Sequence, residues 1–195
     1  MAFGHALFCA LRPPLEMACE LWNELDFLPP ADDRVEPERQ HVTLVRIGIG
    51  PSHPREAIAR VRSACASLAA GPFRVVFDQL IIADRILLKP SETLPKLADF
   101  QGQLITELAA AGLGGLRRYR FSPHLTLSYR AHVLEPVFIP PVSWTVRDFV
   151  LIESLVGERR QIERGRWALQ GPIRTSPAAG QVPLANLVDR VITSV

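Results

Sequence analysis

Apolar residues follow two periods along the chain, and the change between them predicts a mixture of strands and helices. A continuous apolar stretch over residues 3–11 predicts a buried strand. Pro13 and Pro14 then open a segment with apolar residues at helical spacing, which predicts an amphipathic helix. Residues 29–40 are polar and rich in proline, so we expect a loop before the next element.

The middle of the chain repeats this order. Residues 41–49 alternate as a strand, and a helix is predicted to start near Ser52 and Pro54. Segments 73–83 and 86–88 predict a β-hairpin, and Ser91 is predicted to cap a helix that runs to about Ala111.

Three further strands are predicted, one after the glycines at 112–115 and two near 145–155 and 161–169. The order β-α-β-α-β-β-α-β-β-β indicates an α+β fold. Residues 171–195 are rich in Pro, Gly, Ser and Ala and read as a tail, in which 184–193 fit a short helix. No segment has the glycine pattern of a Rossmann or P-loop nucleotide site.

Composition narrows the class without choosing a function. The chain has 195 residues, of which 48% are hydrophobic and 22% charged, so a folded domain with a full core is expected. A formal net charge of +2 does not indicate a protein that coats nucleic acid. No apolar run is long enough to span a bilayer, and the first residues lack the positive charge of a signal peptide.

Three cysteines, Cys9, Cys19 and Cys65, form no CxxC pair and lie in apolar patterns. We therefore expect buried free thiols and a cytoplasmic location.

The candidate chemistry lies in a repeated four-residue motif. His41-Val42-Thr43-Leu44 and His124-Leu125-Thr126-Leu127 share the pattern His-aliphatic-Thr-Leu, and they use two of the five histidines in the chain. Residues i and i+2 of a strand point to the same face, so each motif presents an imidazole beside a hydroxyl. Two such strands facing one cleft suit phosphodiester chemistry, with one imidazole as base and the other as acid, and no metal is needed.

The two motifs and their flanks resemble the 2H phosphoesterase superfamily, in particular its bacterial 2′-5′ RNA ligase (LigT-like) branch, also called RNA 2′,3′-cyclic phosphodiesterase. The resemblance covers residues 3–170 and also rests on the flanking stretches 37–40, 120–123, 144–151 and 165–167. It implies two pseudo-symmetric antiparallel sheets with outer helices around a central cleft, formed by residues 1–170.

The resemblance also implies an RNA-processing activity, namely hydrolysis of 2′,3′-cyclic phosphate ends to 2′-phosphates, in some members with reversible 2′-5′ ligation. His41 would protonate the leaving O3′, His124 would be the base on water, and Thr43 and Thr126 would hold the phosphate. It implies no cofactor and no metal, RNA ends as the partner, no membrane association and a monomer.

This chain departs from the family beside both motifs. Arg46, five positions after His41, stands where relatives more often carry an apolar or aromatic residue, and strand alternation predicts that it points away from His41. Tyr129 and Arg130 follow the second motif, and we predict both as substrate contacts. An exposed arginine at a strand end is an equally good reading of Arg130.

Other candidates read as structural. His5 is predicted to have a partner in the core or the cleft wall. His53 is predicted as an exposed residue at a helix start, and His132 as a loop residue. Phe8 is predicted either to line the cleft or to fill the core, and the core is favoured. No His, Cys, Asp and Glu set has the spacing of a zinc site. The run 117–120 is either a contact to RNA with Tyr119 stacked on a base, or a solvated strand entry, which is favoured.

Two alternative functions stay open at this point. One is hydrolysis of a small cyclic nucleotide or an ADP-ribose cyclic phosphate, which needs no long basic groove. The other is a non-catalytic module that binds RNA ends, although such a module has no use for two titrating imidazoles.

Overall fold

The computed structural model describes residues 4–24, 33–51, 53–116, 119–129 and 137–170. The tail predicted from residue 171 lies outside them. The described elements confirm an α+β fold. They are β1 (His5–Leu11), α1 (Leu15–Glu24), a 3-10 turn (Pro37–Arg39), β2 (Val42–Gly50), α2 (Arg55–Ala66), β3 (Phe73–Ile82), β4 (Ile86–Lys89), α3 (Pro95–Ala110), β5 (Leu125–Ser128), β6 (Val137–Val146), β7 (Asp148–Leu155) and β8 (Arg160–Ala168).

The strands form one eight-stranded sheet in the order β6-β3-β4-β5-β2-β1-β7-β8. All of its described pairings are antiparallel. The sheet consists of two four-stranded halves that meet where β2 pairs with β5, and there the register joins Val42 to Leu125. The two strands that carry the motifs are therefore neighbours at the centre of the sheet, one from each half.

The two faces of the sheet differ. One face packs against α2 and α3 and holds the main core, to which β1 contributes Leu7, Cys9 and Leu11. The other face has a smaller apolar cluster of Phe8, Ala10, Val150 and Ile152. Because side chains alternate along β1, Phe8 lies on the face opposite the main core, and it is buried there in the smaller cluster.

Strand β6 was not predicted, and the predicted strand 145–155 is two strands separated at Arg147. Pro140 and Pro141 lie within β6, and proline cannot donate a hydrogen bond to a neighbouring strand. β6 tolerates them because it is an edge strand with β3 as its sheet neighbour. Which strand lies at the edge depends on the pairing of the whole sheet, so the local sequence of β6 does not reveal it.

The start of α3 also differs from the prediction. The helix begins at Pro95, and the Ser91 hydroxyl donates to the Asp78 carboxylate instead of capping the helix. The helix ends at Ala110, close to the predicted end at about Ala111, and Gly112 follows with φ +80°, a conformation that favours glycine.

Cys9 and Cys65 are buried free thiols as expected, whereas Cys19 is exposed on α1. A hydrogen bond with Cys65 and burial raise the pKa of the Cys9 thiol well above its ordinary value. Within the ranges that the structure describes, no helix has the length and apolar character to cross a membrane.

Candidate active site

The register at the centre of the sheet brings the two motifs together. Val42 and Leu125 pair across β2 and β5, and both are fully buried in the main core. His41 and Thr43 flank Val42, so they point to the opposite face of the sheet, as do His124 and Thr126 on either side of Leu125. Because β2 and β5 are antiparallel, this register places His41 opposite Thr126 and Thr43 opposite His124. Cross-strand neighbours of this kind have Cα atoms about 4.5–5.5 Å apart.

The two imidazoles make equivalent hydrogen bonds. His41 Nδ1 lies 2.7 Å from the backbone oxygen of Arg39, and His124 Nδ1 lies 2.8 Å from that of Ser122. A carbonyl oxygen only accepts, so each Nδ1 carries the proton and donates it. Each Nε2 is then left for a reacting group, as an acceptor when the ring is neutral and as a donor when it is charged.

The environment of His41 favours its neutral form. Burial lowers the pKa of His41 to about 4, against the hydrogen bond to Arg39, and the charges of Arg12, His124 and Arg39 lower it further. Phe8 stacks on the ring with centroids 4.9 Å apart. The effect of the His124 charge on this pKa also shows that the two imidazoles interact electrostatically. At neutral pH the Nε2 of His41 is therefore a proton acceptor.

Arg46 lies on the His41 side of the sheet, and the prediction that it points away is wrong. Two register shifts interrupt the pairing of β1 with β2. Leu44 and Val45 are consequently both buried, and Arg46 pairs with Phe8, the residue that stacks on His41. Cross-strand partners share a face. The register shift that lies between Thr43 and Arg46 on β2 therefore turns Arg46 toward the face of His41 and Thr43. Arg46 is exposed, as predicted.

Arg12 is a second cation at this face, and sequence reasoning did not identify it. It follows β1 directly, its Nη2 donates to Gln161 Oε1 on β8 at 3.2 Å, and its charge lowers the pKa of His41. Burial lowers the pKa of Arg12 itself, which shows that its guanidinium is partly desolvated. Its position directly after a strand that pairs with a motif strand was the available signal.

The chain resembles known proteins in both sequence and fold. The sequence profile of the 2′-5′ RNA ligase superfamily matches residues 13–158. The chain belongs to this superfamily. The superfamily match, together with the LigT-like fold, confirms its assignment as a LigT-like 2H phosphoesterase.

Solved structures show the same fold at low sequence identity. LigT of E. coli in complex with 3′-AMP is 22% identical with a TM-score of 0.69, and the match covers 86% of this chain and 99% of that one. A structure described as a phosphoesterase is 22% identical with a TM-score of 0.67, covering 86% and 99%. The protein TT0787 of Thermus thermophilus is 19% identical with a TM-score of 0.64, covering 85% and 98%. No curated protein sequence matches the chain.

The other predicted contacts of this 2H phosphoesterase have mixed outcomes. Tyr129 is 50% exposed directly after β5, and its backbone N–H donates to Asp33. Arg130, Arg117, Arg118 and His132 lie outside the described residues. Tyr119 packs against the main core, and burial raises its pKa, so its ring has a structural contact.

A third group of titratable residues lies away from both motifs. His5 Nδ1 and His53 Nδ1 contact the same carboxylate oxygen of Glu153 at 2.5 and 2.8 Å. His5 has a partner, as predicted. His53 was predicted as a surface residue at a helix start, and it keeps some exposure but binds Glu153. No sequence spacing links these three residues, because they meet through β1, β7 and the segment before α2.

Proposed function

We propose that this 2H phosphoesterase is a metal-independent phosphodiesterase that hydrolyses 2′,3′-cyclic phosphate ends of RNA to 2′-phosphates, with reversible 2′-5′ ligation as a second activity. The observation that carries the proposal is the paired geometry of the motifs. Two imidazoles on one face of the sheet have the same Nδ1 hydrogen bond, and each leaves Nε2 for a reacting group. Such a pair accelerates in-line displacement at phosphorus, because one group takes a proton and the other gives one.

The protonation state of His41 favours it as the base. Its pKa of about 4 leaves Nε2 unprotonated at neutral pH. We therefore propose the reverse of the roles implied by the family resemblance. His41 takes a proton from water, and the water oxygen forms a bond to phosphorus. The P–O3′ bond breaks, and protonated His124 gives its proton to O3′. The product is a 2′-phosphate with a free 3′-hydroxyl, and both histidines have exchanged protonation state.

Thr43 and Thr126 are proposed to donate hydrogen bonds to the non-bridging phosphate oxygens. Each threonine lies opposite the histidine of the other motif, so one phosphate bound on this face over the two strands is within reach of all four side chains. Arg12 and Arg46 supply positive charge at the same face, which favours an anionic substrate and the further charge that develops in the transition state. Tyr129 and Arg130 are proposed as contacts to the nucleotide.

Ligands of relatives support a nucleotide end as substrate. E. coli LigT has been solved with 3′-AMP, ATP, NADP⁺ and phosphate. These small ligands keep a second candidate open, hydrolysis of a small cyclic nucleotide or an ADP-ribose cyclic phosphate. The net charge of +2 fits an enzyme that binds one phosphate end in a cleft under either reading.

One assay in EDTA tests the proposal. Wild type, His41→Ala and His124→Ala are each offered an oligonucleotide with a 2′,3′-cyclic phosphate end and a 2′,3′-cyclic mononucleotide, and the product phosphate position is determined by NMR. We expect turnover in chelator and a loss of at least about 100-fold in either variant. Circular dichroism and melting temperature establish that each variant is folded.

The alternatives give different results in the same assay. Full activity in both variants would overturn the two-histidine mechanism. Turnover of the mononucleotide alone would favour the small-molecule reading. Tight binding of the oligonucleotide without turnover in wild type would identify a module that binds RNA ends.

A further inference from the structure

We propose that His5, His53 and Glu153 form a zinc site, separate from the proposed catalytic histidines. One ring nitrogen of each histidine and a carboxylate oxygen of Glu153 all lie within 4.8 Å of one another, and both Nδ1 atoms contact Oε1 of Glu153. Two imidazoles and one carboxylate are a ligand set that Zn²⁺ accepts, with the fourth position left to water.

The spacing of the ligand atoms suits a small divalent cation. Zn–N and Zn–O bonds of about 2.0–2.2 Å in a tetrahedron place ligand atoms roughly 3.3 Å apart. The Nδ1–Oε1 separations of 2.5 and 2.8 Å are shorter than this value, whereas the upper limit of 4.8 Å for the set exceeds it. Zinc binding therefore requires the two Nδ1 atoms to move away from Oε1 by about 0.5–0.8 Å, and each imidazole to take the tautomer with its proton on Nε2.

The position of the Glu153 carboxylate is fixed by its surroundings, as suits a metal ligand. Its side chain is fully buried on β7, and Arg164 Nε donates to its second oxygen, Oε2, at 2.6 Å. Arg164 therefore fixes the orientation of the carboxylate, as hydrogen-bond partners behind a metal ligand commonly do.

The cluster is open to solvent on the histidine side. The side chains of His5 and His53 are 23% and 36% exposed, so a cation and its bound water reach the Nδ1 atoms without opening the core. When both imidazoles of the cluster are neutral, the negative charge of Glu153 and the positive charge of Arg164 cancel. The positive guanidinium beside the carboxylate opposes a divalent cation, and we expect micromolar rather than nanomolar affinity.

The zinc site is structurally independent of the motifs. Glu153 pairs with Leu7, a main-core residue, so the cluster lies on the helix-packed face, whereas His41 lies on the other face. Bound zinc would join β1, β7 and the segment that leads into α2. Its expected role is structural, and it places no metal in the phosphodiesterase mechanism.

The test is a zinc titration of metal-free, untagged protein by calorimetry, followed by replacement with Co²⁺ and visible spectroscopy. His53→Gln removes one ligand and leaves the pairs of Glu153 with His5 and Arg164. His124→Gln is the matched control, because the two motif histidines are the competing place for a metal to bind. We expect one zinc per chain in wild type and in His124→Gln, with tetrahedral Co²⁺ bands, and at least about tenfold weaker binding in His53→Gln.

Thermal unfolding gives an independent measurement. Zinc at about 100 times the wild-type dissociation constant should raise the melting temperature of wild type by roughly 5–10 °C, and that of His53→Gln by at most about half as much. Zinc binding that His124→Gln abolishes and His53→Gln retains would place the metal at the motifs and overturn the proposal. Wild type that binds no zinc at a concentration of about 100 μM would overturn it as well, and the cluster would then be a hydrogen-bonded network only.

Discussion

The ring of Phe8 stacks on the imidazole of His41 with centroids 4.9 Å apart and an interplanar angle of 29°. Phe8 belongs to β1, which pairs with the strand that follows His41, so the contact joins two neighbouring strands on the face that carries both motifs. Burial is the largest cause of the low pKa of His41, and Phe8 is one source of that burial. The stacking therefore bears directly on which proton the proposed active site can move.

Phe8→Ala should raise the pKa of His41 from about 4 toward its ordinary value of 6.5, because water then reaches the ring and stabilises the imidazolium. The acidic limb of the kcat/KM profile should shift to higher pH by about one unit. NMR titration of the His41 Cε1–H signal measures the pKa directly. Phe8→Leu, which keeps an apolar neighbour, is the control. An unchanged titration in Phe8→Ala would show that other groups set the pKa.

His41→Gln should make folding stability less dependent on pH below neutrality. In wild type the folded-state pKa of about 4 lies below the unfolded value of 6.5, so only the unfolded chain takes up this proton as pH falls between them. Wild type should therefore lose stability over this window, and the glutamine variant should lose less, by about 2 kcal/mol. Urea unfolding at about pH 7.5 and about pH 4.5 measures it, and equal losses in both proteins would contradict the low pKa.

Arg46→Gln should raise KM for a 2′,3′-cyclic-phosphate oligonucleotide by about tenfold with a smaller effect on kcat, because Arg46 lies on the His41 side of the sheet and attracts phosphate. The dependence of KM on salt should also weaken. Arg55→Gln is the matched control, since Arg55 is an exposed arginine at the start of α2. Equal effects of the two substitutions would remove Arg46 from the substrate path.

Tyr129→Ala should weaken binding of a base-bearing substrate at least about fivefold if its half-exposed ring stacks on a base. Tyr129→Phe keeps the ring and should stay close to wild type. KM for the cyclic-phosphate oligonucleotide, measured for both variants, separates stacking from the phenolic hydroxyl. A loss as large in Tyr129→Phe would assign the contact to the hydroxyl instead.

The local pattern of the sequence was enough for the motif geometry. His41 with Thr43, and His124 with Thr126, share a face because a strand has a period of two, and the register between Val42 and Leu125 agrees with this expectation. The order of helices and strands was also largely predictable, since amphipathic periods are local. The family resemblance supplied the fold in two halves, which no periodicity gives.

Tertiary structure decided everything that depends on register and on contacts between distant strands. The shifts between β1 and β2 turned Arg46 toward His41, and alternation alone had placed it on the other side. Edge position allowed Pro140 and Pro141 within β6. The sheet and the segment before α2 brought together His5, His53 and Glu153, and burial lowered the pKa of His41. These features depend on contacts between residues that are far apart in sequence, because burial and charge act through space. The local sequence pattern does not show which distant residues will be in contact.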